Sequence, residues 1–106
     1  MDEKKKEEND VERNAKVNFE LGRIYLTPDA VIAFEQCGES LWRYLDRHHS
    51  GDWGHVSKRD KKENKLALKK GFRIVSAYTL PHTGMKIWVI TEANRSSTTI
   101  LLPSEY

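Results

Sequence analysis

The sequence contains one cysteine, Cys37, three prolines and no long hydrophobic run. With a single cysteine, no intrachain disulfide can form and no cysteine-rich zinc motif exists. No apolar stretch is long enough to span a bilayer, and none has the form of a secretory signal. These absences predict a reduced, soluble, cytoplasmic protein without a membrane partner. In such a protein we expect Cys37 to be a small core residue rather than a nucleophile.

Large apolar residues are also scarce at the start of the chain. Residues 1–16 hold five Lys or Arg and six Asp or Glu, and their only large apolar residues are Met1 and Val11. Such a stretch buries too little surface to offset its chain entropy, so we expect a disordered charged tail. Residues 17–106 then form a single domain with one modest core.

Charge is abundant, and one basic segment stands out. The net charge is only +2, but residues 58–70 hold seven Lys or Arg against Asp60 and Glu63. A basic helix attracts nucleic acid or other polyanions, although a solvated helix face above an apolar seam has the same composition. The candidate nucleic-acid contacts are Lys61, Lys62, Lys65 and Lys69.

Three helices are predicted in the middle of the chain. Thr27-Pro28-Asp29 supplies a cap, a first-turn proline and an acidic residue, and Gly38 supplies the stop. A second helix is expected from about residue 40 to His48, with apolar residues on one face. A third is expected over residues 57–70, where a serine cap opens the helix and Gly71 ends it.

Strand patterns lie on both sides of these helices. Residues 17–26 carry strand-forming side chains, most clearly over residues 23–26. Alternating patterns over residues 72–80, 85–92 and 98–102 are separated by short polar turns and predict a three-stranded antiparallel meander. The predicted fold class is α+β: an N-terminal strand, three short helices and the meander, with the helices packed on one sheet face.

The turn before the last strand is the first candidate site. It gathers a guanidinium, an amide and three hydroxyls, from Asn94, Arg95, Ser96, Ser97 and Thr98. A guanidinium can donate two parallel hydrogen bonds to a phosphate, and the other groups can complete the shell. The alternative is an ordinary turn, because Asn and Ser favour turns by bonding to their own backbone.

The segment 47–54 is the second candidate site. Here Trp53 could stack on a base, and His48 or His49 could act as a general base or a phosphate partner. Alternatively, Trp53 is a packing anchor and the histidine a helix-end residue. His48, His49, Asp52 and His55 are close in sequence, but their spacing matches no zinc signature. We therefore expect neither a metal ion nor another cofactor.

The polar side of the predicted sheet is the third candidate. Alternation places Lys86, Trp88, Ile90 and Glu92 on one face of their strand, opposite a more apolar set. An aromatic ring beside a lysine suits a ligand platform, and a partner interface or a covering helix is equally natural. The residues assigned to this side are Arg73, Ser76, Tyr78, Lys86, Trp88 and Glu92.

Several motifs together resemble one protein family. They are Arg47-His48, Ser50-Gly51-Asp52-Trp53-Gly54, Asp60-Lys61, Asn64, Ala67-Leu68, Ser76-Ala77-Tyr78, residues 86–92, residues 95–99 and Leu101-Leu102-Pro103. Over residues 21–106 the chain is similar to small uncharacterised proteins of plasmids, phages and integrative elements. Such proteins are described as plasmid-related or as a type I restriction subunit. The chain lacks the glycine-rich cofactor loop and the Asn/Asp-Pro-Pro-Tyr/Phe motif of a DNA methyltransferase, so the restriction label does not fit.

Three functions follow as hypotheses. The resemblance implies an accessory protein of a mobile element that contacts nucleic acid, a nucleotide or a host defence component. The first hypothesis is a non-catalytic module that binds a phosphate-bearing ligand, a nucleotide or nucleic acid, through His48, Trp53 and the turn around Arg95. The second is an interaction factor or inhibitor of a host defence protein, acting through the basic helix, Trp42 and Trp88.

The third hypothesis is a metal-independent ribonuclease, because helices followed by an antiparallel sheet resemble the layout of the barnase and EndoU types. His48 or His49 would be the base, Arg95 the phosphate clamp and Thr98 an assisting donor. A resemblance of layout is a weak guide to chemistry. The sequence predicts neither the oligomeric state nor the identity of a ligand.

Overall fold

The computed structural model describes residues 19–106. In chain order its elements are β1 (Arg23–Leu26), α1 (Pro28–Cys37), α2 (Leu41–His49), α3 (Lys58–Lys70), β2 (Ile74–Thr79), β3 (Lys86–Thr91), β4 (Ser97–Leu101) and a short 3-10 helix (Pro103–Glu105). The α+β class and the three helices are confirmed. The tail predicted for residues 1–16 lies outside the described residues.

The sheet has four strands in the order β1-β4-β3-β2. Strands β2, β3 and β4 form the predicted antiparallel pairs. The prediction missed that β1 joins the same sheet, parallel to β4, with Ile24 opposite Thr98. Parallel neighbours need a long crossover connection, and here the three helices and two further strands lie between β1 and β4. The sheet is therefore mixed, not a three-stranded antiparallel meander.

Each helix begins at a side chain that caps its free backbone N–H groups. The hydroxyl oxygens of Thr27, Ser40 and Ser57 accept hydrogen bonds from backbone N–H groups in the first turns of α1, α2 and α3. Helix α3 ends at Gly71, which has a φ of 79° in the left-handed region. The local sequence therefore sets where the helices begin and where α3 stops.

The main core lies between one face of the sheet and helices α1 and α2. Ala30, Ala33, Phe34 and Cys37 of α1 pack with Tyr44 and Leu45 of α2 on buried residues of all three antiparallel strands. Those strand residues are Tyr78, Ile87, Val89 and Ile100. A second cluster joins Phe19, Trp53, Ala67 and Ile74 beside α3. Cys37 is a buried free thiol, as predicted for a core residue.

The outer edge of β2 is closed by side-chain and loop contacts. The Asn64 amide donates to the Val75 carbonyl at 2.8 Å and accepts from the Val75 N–H at 3.2 Å. Two residues further on, Ala77 pairs with the backbone of Trp53 and His55. Since exposed strand edges promote aggregation, these contacts protect β2. They also anchor α3 and the segment before it to the sheet.

Candidate functional site

Arg95 lies at the turn between β3 and β4, but its guanidinium is directed at the end of α3. Its Nη1 donates to the carbonyls of Phe72 at 2.7 Å, Glu92 at 3.1 Å and Ala93 at 3.2 Å. Its Nη2 donates to the carbonyl of Ala67 at 3.1 Å. Burial lowers the pKa of this guanidinium. Arg95 thus joins the last hairpin to the C-terminal end of α3, where a cation is favoured by the helix dipole.

The other predicted residues of the turn serve its backbone. The side-chain Oδ1 of Asn94 accepts a hydrogen bond from the Ser96 N–H at 2.9 Å, which is the local bond that Asn makes in turns. The backbone of Ser96 accepts from Arg23, and that of Ser97 accepts from Glu92. These contacts match the turn alternative. Of this set, Asn94 and Ser96 are exposed to solvent.

His48 and Thr98 belong to a buried chain of hydrogen bonds. His48 lies 2.6 Å through Nδ1 from Ser76 Oγ and 2.9 Å through Nε2 from Thr91 Oγ1. Thr91 Oγ1 in turn lies 2.6 Å from Thr98 Oγ1, and the Thr98 hydroxyl donates to the Leu21 carbonyl at 2.7 Å. The four side chains that form these hydrogen bonds come from α2, β2, β3 and β4, and all four are fully buried.

The Leu21 carbonyl fixes the direction of the hydrogen bonds from Thr98 back to the Nε2 of His48. Because it can only accept, Thr98 donates to it and must accept from Thr91. Because the Thr91 hydroxyl proton is donated to Thr98, Thr91 accepts from the Nε2–H of His48. Burial disfavours a second proton on the ring and lowers the pKa of His48 to about 3, so the imidazole is neutral and its Nδ1 accepts from the Ser76 hydroxyl.

This burial bears directly on the ribonuclease hypothesis. A general base must reach the proton that it removes, and His48 is 0% exposed. Thr98 is equally buried, and the four hydrogen bonds of Arg95 go to backbone carbonyls. The side chains of His48 and Thr98 therefore offer a substrate no accessible acid or base. Their hydrogen bonds connect α2 to three strands.

Trp53 is a core residue at the break between α2 and α3. Its side chain is buried, and its ring lies 5.9 Å from that of His48 and 6.4 Å from that of Phe19. The Phe19 ring lies in turn 5.8 Å from the Arg95 guanidinium carbon. The structure therefore gathers Arg95, His48 and Trp53 around Phe19. The hydrogen bonds of Arg95 and His48 go to other groups of the protein.

Neighbouring residues hold the segment 47–54 in place. Arg47 donates to the Asp52 carboxylate at 2.7 Å, and this bond lowers the pKa of Asp52. The Tyr78 hydroxyl donates to the Asp52 carbonyl at 2.5 Å. Within residues 19–106, no three His, Cys, Asp or Glu side chains are grouped so as to hold a metal ion. Across the same residues, no helix combines the length and apolar character needed to cross a membrane.

The predicted lysines of α3 do face solvent. Lys61, Lys62, Lys65 and Lys69 are all exposed. Lys58, Lys62, Lys65 and Lys69 are separated by four, three and four residues, and such spacings place side chains on one side of a helix. We call Lys58, Lys62, Lys65 and Lys69 the lysine strip. The two acids of the helix lie outside it, because Asp60 and Glu63 line a cleft on the sheet side of α3.

That cleft has a volume of about 370 Å³. Its walls are α3 and the half-buried side of the sheet, and we call it the sheet cleft. Trp88 lines it, and the ring of Tyr106 lies 5.4 Å from the indole at an interplanar angle of 66°. The lining residues are His55, Val56, Ser57, Asp60, Glu63, Asn64, Arg73, Val75, Ala77, Trp88, Ile90 and Tyr106.

The sheet cleft contains part of the third predicted site. Arg73 and Trp88 line it, whereas Ser76 and Tyr78 lie on the opposite, buried face because strand residues alternate. Lys86 lines a neighbouring recess of about 520 Å³, which shares Trp88 with the sheet cleft. No pattern in the sequence indicates a role for Tyr106, because its position depends on the short 3-10 helix that follows β4. The position of Asp60 and Glu63 on the same side of α3 could have been predicted, because they are three residues apart in a helix.

Comparison with known proteins finds no matching family model, no similar curated protein and no similar solved structure. The plasmid and phage family suggested by the motifs therefore stays a prediction.

Proposed function

We propose that this protein is a non-catalytic module that binds a nucleic-acid backbone through the lysine strip of α3. The observation that carries the proposal is the separation of charge on this helix. Lysines occupy one exposed side, and the two acids lie on the side of the sheet cleft. Rows of lysine that follow a phosphate backbone release condensed counterions, and this release drives binding that does not depend on sequence.

The charge of the rest of the chain directs such a ligand to α3. The whole protein has a net charge of only +2, whereas residues 58–70 carry seven Lys or Arg against two acids. A polyanion is attracted by a local excess of positive charge more than by a small net charge. Lys61 and Lys65 also border a recess whose other lining residues are Gly51, Asp52, Trp53 and Gly54.

The site differs from the one predicted at the last hairpin. The Arg95 guanidinium donates four hydrogen bonds to backbone carbonyls, whereas the lysine strip is exposed along the length of α3. The proposal therefore keeps the ligand class expected from the sequence and moves the contact surface to α3.

The test compares two double variants that remove the same charge. Lys62→Gln with Lys65→Gln removes the centre of the strip, and Lys70→Gln with Lys86→Gln removes two lysines outside it. Binding to a fluorescent single-stranded oligonucleotide, measured by anisotropy near 0.1 M salt, should weaken on the order of tenfold or more in the first variant. The second should bind almost as the wild type does. Equal weakening in both variants would show that only total charge matters.

A second candidate function is suggested by one exposed aromatic residue. Trp42 in the first turn of α2 is 58% exposed, and tryptophan is frequent among the residues that contribute most to protein interfaces. An interaction factor for a host protein would use this surface. Pull-down from nuclease-treated lysate should then recover a protein with the wild type and not with Trp42→Ser. Recovery that is lost on nuclease treatment would instead favour the nucleic-acid module.

A further inference from the structure

The sheet cleft lies apart from the lysine strip and has the features of a small-molecule site. Its volume of about 370 Å³ falls within the range of about 300–1,000 Å³ that is typical of ligand pockets. Apolar residues form its floor, and the polar groups of α3 and Arg73 form its walls. Such a mixture selects a ligand that has flat apolar faces and a polar edge.

The floor offers ring faces for stacking. Trp88 pairs across the strands with Ala77, and the small alanine leaves the neighbouring side of the indole open to the cleft. The Tyr106 ring lies 5.4 Å from the indole at an interplanar angle of 66° and forms an adjoining wall. A flat ring entering here can stack on one aromatic face and contact the edge of the other, and stacking of a base on an aromatic residue contributes about 1–3 kcal/mol.

The wall from α3 selects the hydrogen-bonding edge of that ring. Asp60 and Glu63 are one helical turn apart and both line the cleft, and the Glu63 carboxylate also lies 3.5 Å from the Arg59 guanidinium in an exposed ion pair. An ionised carboxylate only accepts hydrogen bonds, so the edge of the ligand must donate. Guanine presents an N1–H and an N2–H side by side, which suit the two oxygens of one carboxylate. Uracil presents one N–H between two carbonyl oxygens. A carboxylate repels these oxygens, because both groups are hydrogen-bond acceptors.

Arg73 supplies the positive group for a phosphate. Its guanidinium carbon lies 5.3 Å from the centre of the Tyr106 ring, and this cation–π contact holds it at the cleft. A guanidinium matches the geometry of phosphate oxygens better than an ammonium does. The carboxylates and the guanidinium thus divide the cleft into a wall that accepts hydrogen bonds and a part that attracts anions.

We propose that the sheet cleft binds a guanine nucleotide. The base stacks on Trp88, its donor edge faces Asp60 and Glu63, and its phosphate lies at Arg73. The ligand is either a free nucleotide or an unpaired guanine within a single strand, because both present the same chemistry. This site is independent of the lysine strip.

The experiment follows the indole N–H signal of Trp88 by NMR while guanosine, inosine and uridine 5′-monophosphates are added separately. Inosine lacks only the N2 amino group, so the guanosine nucleotide should bind at least about fivefold more tightly than the inosine nucleotide. The uridine nucleotide should bind more weakly than both. Equal affinity for the three nucleotides, or no shift of the Trp88 signal at millimolar concentration, would overturn the proposal.

Matched variants locate the contact. Asp60→Asn with Glu63→Gln should remove the preference for guanosine over inosine, and Glu35→Gln with Glu92→Gln, which changes two acids outside the cleft, should keep it. Retention of the preference in the first variant would overturn the assigned orientation. Lys62→Gln with Lys65→Gln should leave binding of the mononucleotide unchanged, so failure of the lysine strip and failure of the cleft can be told apart.

A trinucleotide arm separates the two sources of the ligand. The measurement uses the Lys62→Gln, Lys65→Gln variant and follows the Trp88 signal, so that contacts at the lysine strip are not counted. If r(UGU) binds at least tenfold more tightly than guanosine 5′-monophosphate and r(UUU) does not shift that signal, the site takes an unpaired guanine in a strand. If r(UGU) and the mononucleotide bind equally, a free nucleotide is sufficient. Either result supports guanine recognition, and equal shifts of the Trp88 signal with r(UGU) and r(UUU) contradict it.

Discussion

The Nη2 of Arg95 donates a hydrogen bond to the carbonyl oxygen of Ala67 across 3.1 Å, which links the β3–β4 turn to the last turn of α3. The same carbonyl also accepts from the Gly71 N–H at 2.8 Å. Carbonyls at a helix end have no partner within the helix, so a side chain that reaches them from another element stabilises both elements. These contacts explain why an arginine occupies this turn, and no ligand is needed to account for it.

Replacing Arg95 should therefore destabilise the fold. Arg95→Ala removes the four contacts to backbone carbonyls, and we expect a loss of about 2–3 kcal/mol in the free energy of unfolding. The measurement is urea unfolding followed by circular dichroism. Arg59→Ala is the control, because its contact with Glu63 at 3.5 Å joins two exposed side chains and should contribute less than about 0.5 kcal/mol. An Arg95→Ala protein of unchanged stability that no longer bound nucleic acid would restore the hairpin site.

His48 should make the fold sensitive to mild acid. Burial lowers its pKa to about 3, whereas an unfolded histidine has a pKa near 6.5. Below pH 6.5 the unfolded chain therefore binds a proton that the folded chain excludes, and stability is lost as the pH falls towards 3. Between pH 7 and pH 5 this loss amounts to about 2 kcal/mol.

The control for this pH effect is a variant that lacks the imidazole. His48→Gln should be less stable at pH 7, because it breaks the bonds to Ser76 and Thr91, and its stability should change much less between pH 7 and pH 5. His49→Gln should keep the wild-type pH dependence. The carboxyl of Asp52, whose pKa is lowered by Arg47, titrates below this pH window. An equal pH dependence in wild type and His48→Gln would mean that His48 is not held neutral by the fold.

Gly54 should tolerate no side chain. A β-carbon at this position would lie 2.0 Å from the Ala77 carbonyl oxygen, and its φ is 74°. Gly54→Ala should separate the segment from the edge of β2 and cost more than about 3 kcal/mol. Gly84→Ala is a matched control, since its φ is 71° and no atom lies within 4 Å of the added carbon, so only about 1 kcal/mol is expected. Similar losses of stability in both variants would contradict the close contact at Ala77.

The local signals of this sequence predict its elements well. Thr27, Ser57 and Gly71 mark helix ends by interactions within one turn, and the structure confirms α1 and α3 at those limits. The face of α2 that carries Tyr44 and His48 is likewise buried as its spacing indicates. In each case the relevant partners are neighbours in the chain.

The contacts missing from the prediction join distant parts of the chain. Thr98 opposes Ile24 only because β1 pairs with the last strand, and no short-range pattern encodes that pairing. Arg95 adopts a φ of 61° and turns back to α3, whereas a turn sequence alone leaves its side chain free to face solvent. The sequence therefore indicated which residues carry polar groups, but it did not show which of those groups bond to the protein itself.

The salt dependence of oligonucleotide binding tests the central claim most directly. Each phosphate neutralised on a single strand contributes a slope of about −0.7 to a plot of log affinity against log salt concentration. If the lysine strip makes the contacts, Lys62→Gln with Lys65→Gln should reduce the magnitude of the slope by about 1.4, and Lys70→Gln with Lys86→Gln should leave it unchanged. A slope that is the same in the wild type and the strip variant would contradict nucleic-acid binding by α3.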